Sequence, residues 1–380
     1  MNRKLVTVRT VGEVRPIVGA DRVEVATVDG WTVVVKVKEF SAGDLAVFFE
    51  IDSFLPAADS RWKFLEDAFI QWNGHAGYRV KSAKIRGQMS QGILLPLNDV
   101  PEVVKIIVDL EGKHGKKEAA ELLSSMSFAD TLNVKKWERL DGIEGGNGKL
   151  LRALPSFISR TDQERVQNLP GVFKKYQDEV FQETTKMDGS SMTVYYLRED
   201  SVMLELLPQI NPEREPTAAS VGGRFGVCSR NVNIVEASES KGGNFWAVAR
   251  KNDLARKMAE LNRSIAIQGE LCGSSIQANF EGFPVGFHDF FLFSVWDIEK
   301  QKYMQPKEAE ELAAQLGLKH VPVIGYRRLG NIATSVKEIL ARAEGKGLNG
   351  RKREGIVLKQ VDGDFSFKAI SNSYLLKHGE

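Results

Sequence analysis

Short runs of alternating apolar and polar residues fill the first hundred positions. Residues 22–27 (RVEVAT) alternate, Asp29-Gly30 supplies a two-residue hairpin turn, and residues 31–38 form the partner strand. Residues 46–51 and 92–97 read as further apolar strands, and residues 78–86 as a strand carrying basic side chains. Several short strands in succession, with no strong helix among the early ones, predict a small all-β barrel of the OB type. An SH3-like barrel would leave the same trace.

Past Pro101 the pattern loosens. Residues 116–126 suit a helix, and residues 142–149 (GIEGGNGK) read as a glycine-rich linker, dividing the chain into residues 1–150 and 151–380. Thr161 with Glu164 three positions later has the form of a capping box, so a short helix bearing Arg165 is expected there. In the second part, strands are expected at 180–185, 192–197, 202–206, 225–229, 265–270, 290–296, 355–359 and 365–370. Helices fit 247–262, where Leu254, Met258 and Leu261 share a face, and also 306–316 and 334–344. These elements do not repeat as βαβ units. The expected fold class is therefore α+β with antiparallel sheets, preceded by the all-β barrel.

Composition narrows the classes further. At 380 residues, 42% hydrophobic and 27% charged, the chain has the balance of a folded protein of two domains. No apolar run approaches the roughly 18 residues of a membrane span. The N-terminus has no apolar leader, so a cytoplasmic (or nuclear) location is expected, with no membrane partner. Cys228 and Cys272 are the only cysteines and read as structural thiols on buried strands. The five histidines are scattered, without metal-binding spacing. The net charge of +2 by itself points to no polyanionic partner.

The chemistry is concentrated at Lys186-Met187-Asp188-Gly189-Ser190-Ser191, between two expected strands. A lysine at a tight junction can act as a nucleophile when its surroundings lower its pKa, and Gly189 admits close approach of a ligand. Alone, such a motif is more often a solvated turn. Its company is what matters: Ser229-Arg230-Asn231, Gln268-Gly269-Glu270, Phe293 to Ile298, Arg353-Glu354-Gly355 through Lys359, and Phe367-Lys368 follow in order. This set resembles motifs I, Ia, III, IIIa, IV and V of the covalent nucleotidyltransferases, the superfamily of polynucleotide ligases and capping enzymes. The stretches ADRVEVATVDGW, VFFEIDSFLP, TDQERVQN and the Phe365–Lys368 region followed by SNSYLL are similar to the ATP-dependent RNA ligases of type 5, which carry an OB domain ahead of the transferase domain. Ser366 departs from the pattern, standing where a second lysine is often found.

The resemblance implies roles for particular residues. Lys186 would be the nucleophile, attacking ATP to give a lysyl-AMP, and Asp188 and Lys368 would assist catalysis. Asp188, Glu270 and Glu354 would hold Mg²⁺ or Mn²⁺, largely through its waters. Phe293 would stack on adenine, Arg230 would lie near the ribose, and Gly189, Arg165 and Lys359 would complete the nucleotide site with Glu270, Glu354 and Lys368. AMP would then pass to an RNA 5′-phosphate, and a 3′-hydroxyl would displace it. The implied partner is RNA with such ends, in particular a nicked duplex, and the implied state a monomer.

Three other readings belong beside this one. A DNA ligase would be distinguished by the sugar on the 3′-hydroxyl side of a nick, and a capping guanylyltransferase by labelling with GTP. An OB-fold nucleic-acid-binding protein with an inactive transferase half would bind RNA without adenylation. Two local runs of cations permit RNA despite the small net charge: Arg79, Lys81, Lys84 and Arg86, in a stretch (68–98) without Asp or Glu, and Lys346, Arg351, Lys352 and Arg353 ahead of Glu354.

Overall fold

The Asp29-Gly30 turn joins strands Val23–Val28 and Trp31–Lys36, with Val28 opposite Trp31. Val14–Pro16 completes that sheet, and Val6–Thr10, Leu45–Phe49 and Ile93–Pro96 form a second. A third contains Lys135–Lys136, Ser53–Pro56, His75–Arg79 and Phe69–Trp72. Trp31, Phe48, Phe49 and Trp62 are fully buried at the centre of these strands, the large side chains that a barrel of this size needs to fill its interior. The structure, a computed structural model, describes residues 3–138, 151–238 and 244–378. The expected linker at 142–149 lies outside the described residues.

Two N-terminal expectations are corrected. Residues 78–86 are not one strand: His75–Arg79 ends in the third sheet, and Ser82–Ile85 begins a separate hairpin with Gln88–Gln91. Val80 between them is buried and exchanges backbone hydrogen bonds with Asp52 and Ser53, so the chain is pinned to the barrel before it turns away. Nor is the stretch after Pro101 loose, with a helix only at 116–126. A helix spans Pro101–Ser125, started by a proline at its first turn and kinked at Gly115, whose φ of +78° is non-helical. It buries Val103, Ala119 and Leu123, of which Val103 and Leu123 join the barrel core.

The second part is built on two antiparallel sheets. The larger runs Leu151–Ala153, Val232–Ile234, Arg224–Cys228, Ser190–Leu197, Ile265–Gly273, His288–Asp297 and Lys302–Tyr303, with Lys319–His320 parallel to His288–Asp297. The smaller runs Glu164–Arg165, Ser366–Ile370, Gly355–Gln360, Val180–Lys186 and Val323–Arg328. Helices Phe245–Lys251, Leu254–Glu260 and Pro306–Gln315 cover one face of the larger sheet, and Val336–Ala343 packs on the smaller. The chain crosses from the smaller sheet to the larger at Met187-Asp188-Gly189. The α+β antiparallel class holds.

Local chemistry explains where the elements differ from expectation. Thr161 does not open a helix: Glu164 and Arg165 form a strand parallel to Phe367 and Lys368. The Glu164 carboxylate that would have completed the capping box accepts instead from the Arg165 N–H (2.8 Å) and Asn168 Nδ2 (2.9 Å). Residues 202–206 form a 3₁₀ turn in place of a strand, capped by Ser201. The helix expected over 247–262 is two helices, broken at Asp253, whose φ of +53° no helix accommodates.

Candidate active site

Lys186 ends the Val180–Lys186 strand directly opposite Gly355, so Glu354, one residue before, faces it across the ladder. Lys186 Nζ lies 2.7 Å from Glu354 Oε1 and donates to Oε2 at 2.7 Å. Glu270 and Asp188 are the other carboxylates whose charge acts on this ammonium. Burial pushes the lysine pKa down, but the charges of Glu354 and Glu270 outweigh it, and the group sits above the ordinary lysine value. Burial pushes Glu354 up and Glu270 up to about 8.

Gly189 allows this crowding. A Cβ there would stand 2.5 Å from the Leu271 carbonyl oxygen, 2.8 Å from Glu270 Cγ and 2.9 Å from Cys272 Sγ. Ser191 pairs with Glu270, so the turn after Lys186 delivers the chain onto the strand carrying that carboxylate.

Lys368 lies two strands from Lys186 in the smaller sheet, opposite Val357 on one side and in register with Arg165 on the other. Burial, then the charges of Arg165, Lys186 and Arg3, lower its pKa to about 7. Arg165 is buried, and Asp52 of the barrel meets it at 3.3 Å, meets Arg3 at 2.9 Å and accepts from Arg79 at 2.8 Å. Arg79 in turn stacks over the Trp137 ring at 3.4 Å. Asn168 adds a second link between the two parts, accepting from Trp31 Nε1 at 2.7 Å and donating to Glu50 at 3.1 Å.

Phe293 owes its position to a β-bulge. Gln268 pairs with Ser294 and Gly269 with Leu292, leaving Phe293 as the extra residue, turned toward a cleft. That cleft is lined also by Asp162, Gln163, Lys359 and Ser366. Lys359 Nζ donates to the Phe293 carbonyl and, at 2.7 Å, to Ser294 Oγ; its burial lowers its pKa to about 7. Ser366 pairs with Lys359, so a cation stands beside the position where the motif V pattern often has a second lysine.

Lys186, Asp188, Gly189, Glu270, Glu354 and Lys368 are therefore gathered at one junction, with Arg165 beside Lys368 and with Phe293 and Lys359 along the adjoining cleft. Arg230 stands apart: it is ion-paired with Asp162 and lies 3.8 Å from Glu138 at the cleft rim. Among the described residues no three acidic, histidine or cysteine side chains converge tightly enough to grip a metal directly. The acidic oxygens of Glu270, Glu354 and Asp188 nonetheless suit a hard cation bound mainly through its water shell. Both cysteines are buried, and burial holds both thiols above their usual pKa.

Two acidic residues went unrecognised in the sequence. Glu281 is 1% exposed, lies among Asp188 and Glu354, and is held by burial up to about 7. It comes from an aperiodic loop that offers no signal. Asp52, the anchor of Arg165, lies in the VFFEIDSFLP stretch, but neither its role nor its left-handed φ of +70° can be read from the sequence.

Comparisons with known proteins agree with this fold. The RNA ligase family profile matches residues 179–370, and an OB-fold domain profile matches residues 5–97. Solved structures of Naegleria gruberi RNA ligase are 38% identical, including a mutant with ATP and Mn at a TM-score of 0.79, covering 99% of both chains. Others are a mutant with AMP and Mn (TM-score 0.79) and a form with PPi (TM-score 0.80), each covering 99% of both chains. No curated protein matches the chain. No helix among the described residues is long and apolar enough to cross a membrane. An OB-fold domain followed by this α+β domain, with an RNA ligase profile over the stretch that contains Lys186, Glu270, Glu354 and Lys368, places the chain in the RNA ligase family.

Proposed function

We propose that this RNA ligase uses ATP, with Lys186 as its nucleophile, to join RNA 3′-hydroxyl and 5′-phosphate ends, nicks in a duplex in particular. The observation that supports it most is the Lys186 ammonium held by both Glu354 oxygens at 2.7 Å, with Glu270 and Asp188 beside it. The ATP, AMP, PPi and Mn bound in the Naegleria structures support the choice of nucleotide and of Mn²⁺ or Mg²⁺ as metal.

In the first step the Lys186 amine, having given up its proton, forms a bond to the α-phosphorus of ATP. The bond to the pyrophosphate oxygen breaks, leaving a lysyl-AMP. Glu354 is the base in contact with that ammonium and is the acceptor for its proton. Lys368 and Arg165 supply positive charge where negative charge develops on phosphoryl oxygens, in a site dry enough for it to count. Phe293 offers its ring to the adenine, and Lys359 fixes the bulge that presents that ring. Arg230 orients the cleft wall through Asp162 on the ribose side. A divalent ion at Glu270, Glu354 and Asp188, when bound, neutralises charge at the reacting phosphate.

AMP then moves from Lys186 to the RNA 5′-phosphate, forming a pyrophosphate linkage. The 3′-hydroxyl, oriented by Asp188, attacks the 5′-phosphorus and releases AMP. One chain supplies every side chain named, so a monomer is sufficient, acting in the cytoplasm or nucleus. A nicked RNA duplex with a labelled 5′-phosphate, incubated with ATP and Mn²⁺ or Mg²⁺, is expected to give a sealed strand. Sealing only with a DNA 3′-hydroxyl strand would make it a DNA ligase. Labelling by GTP without sealing would make it a guanylyltransferase, and RNA binding without adenylation an inactive binding protein.

A further inference from the structure

The two cationic runs are far apart along the chain, but the fold brings the segments that carry them against one helix. The first, apart from Arg79, which ends the preceding strand and pairs with Asp52, lies at the Ser82–Ile85 and Gln88–Gln91 hairpin of the barrel. Arg86 and Gly87 form its two-residue turn, with φ of +49° and +81°, the left-handed pair of a type I′ turn. Lys81, Lys84 and Arg86 are exposed on it. The hairpin packs against the C-terminal helix Asn372–His378, whose Tyr374 and Leu375 are buried in the barrel core.

The second run, in the loop before Glu354, is tied to the start of that same helix. Glu344 accepts from the Ser373 N–H at 2.9 Å and from its hydroxyl at 2.5 Å. Lys346 and Lys352 are bridged across this loop and exposed. Gly347 lies so close to Glu281 that an added Cβ would be 3.1 Å from Oε2, which puts the loop at the rim of the active-site carboxylates. Arg353 does not belong to the exposed run; its guanidinium is consumed by the carbonyls of Ala343, Arg342 and Glu344. Between the two runs, Lys377 is exposed on the helix itself.

We propose that Lys346, Lys352, Lys377, Lys81, Lys84 and Arg86 form one continuous track that carries an RNA phosphodiester backbone from the active-site rim across the C-terminal helix to the barrel hairpin. All six cations are exposed to solvent, and among the described residues only Lys352 of them has a nearby carboxylate acting with it, that of Glu344, so the track is open to an external anion. The helix that both segments adjoin has seven residues, about 10 Å of length and about the same in width, so a strand only a few nucleotides long passes from one to the other. Phosphate contacts of this kind position a nucleic acid without reading its sequence, which is what an end-joining enzyme needs from surfaces away from the break.

This inference rests on the RNA ligase reading of the Lys186 pocket, and its test separates the two. The full chain and two variants, Lys84→Ala/Arg86→Ala and Lys346→Ala/Lys352→Ala, are titrated onto a fluorescent nicked RNA duplex between 50 and 200 mM salt. Lysine adenylation and sealing are followed in parallel. Both variants are expected to adenylate within about twofold of the parent, to raise KM for nicked RNA about tenfold or more, and to flatten the logarithmic salt dependence by about 2. Unchanged KM and salt slope in both variants would overturn the track, and a loss in only one would overturn its continuity. Absent adenylation in the parent would sink the ligase reading, while the anisotropy titration would still decide the track.

Discussion

Lys186 Nζ and the Glu354 carboxylate are in contact at 2.7 Å where neighbouring antiparallel strands meet, a largely buried ion pair. The lysine is thus stored as an ammonium, the form that cannot attack phosphorus. Glu354→Gln keeps an acceptor but removes the charge that holds the lysine pKa up. Labelling of Lys186 by an amine-reactive probe, followed by mass spectrometry without ATP, is expected to reach half-maximum at lower pH in this variant. An unmoved midpoint would show that Glu354 does not govern the lysine.

Gly189 has no room for a side chain, since its Cβ would lie 2.5 Å from the Leu271 carbonyl, a backbone atom that cannot swing aside. Overpacking of this kind costs about 1–3 kcal/mol. In Gly189→Ala the strain falls on the strand carrying Glu270. Adenylation is expected to drop at least tenfold while the protein stays folded by circular dichroism. Parental adenylation rates would mean that the turn relaxes without cost.

The barrel and the catalytic domain are joined at Asp52, which sits among Arg3, Arg79 and Arg165 and is held well below the usual carboxylate range by them, against the opposing effect of burial. Removing one partner from a buried charge cluster costs about 3–5 kcal/mol. Asp52→Asn is therefore expected to lower the urea unfolding free energy by about 3 kcal/mol, and to raise KM for ATP because Arg165 loses its anchor. A loss of under about 1 kcal/mol would make Asp52 a peripheral contact.

Glu281 gives a pH signature. Burial first, then Asp188 and Glu354, raise its carboxyl to about 7, against about 4.3 in an unfolded chain. Between those values the native state holds a proton that the unfolded state has lost, so this group subtracts stability as pH rises through the window. Glu281→Gln lacks that titration. With chelator present, its Tm is expected to exceed the parent's by a margin that grows from about pH 4.5 to 7 and then levels off. A margin independent of pH would place the carboxyl in an ordinary solvated setting.

Much of this site was legible because strands announce themselves. Lys186, Glu270 and Lys368 lie on apolar strands and Glu354 directly precedes one, and their order along the chain carries a resemblance that outlasts errors in local structure. Arg165 illustrates the limit. Its position was recognised but not its strand, because the carboxylate of Glu164 serves Arg165 N–H and Asn168 instead of a helix cap. The left-handed break at Asp253 and the bulge at Phe293 leave no mark on the local hydrophobic period. Glu281 and Asp52 acquire their roles only from what folds against them.

The central claim is a covalent bond between Lys186 and AMP. Incubation with α-labelled ATP and Mn²⁺ or Mg²⁺, followed by acid precipitation and peptide mapping, tests it most directly. The result expected is one labelled peptide containing Lys186, released by pyrophosphate and absent from Lys186→Ala. No label in the parent, or undiminished label in Lys186→Ala, would contradict the account.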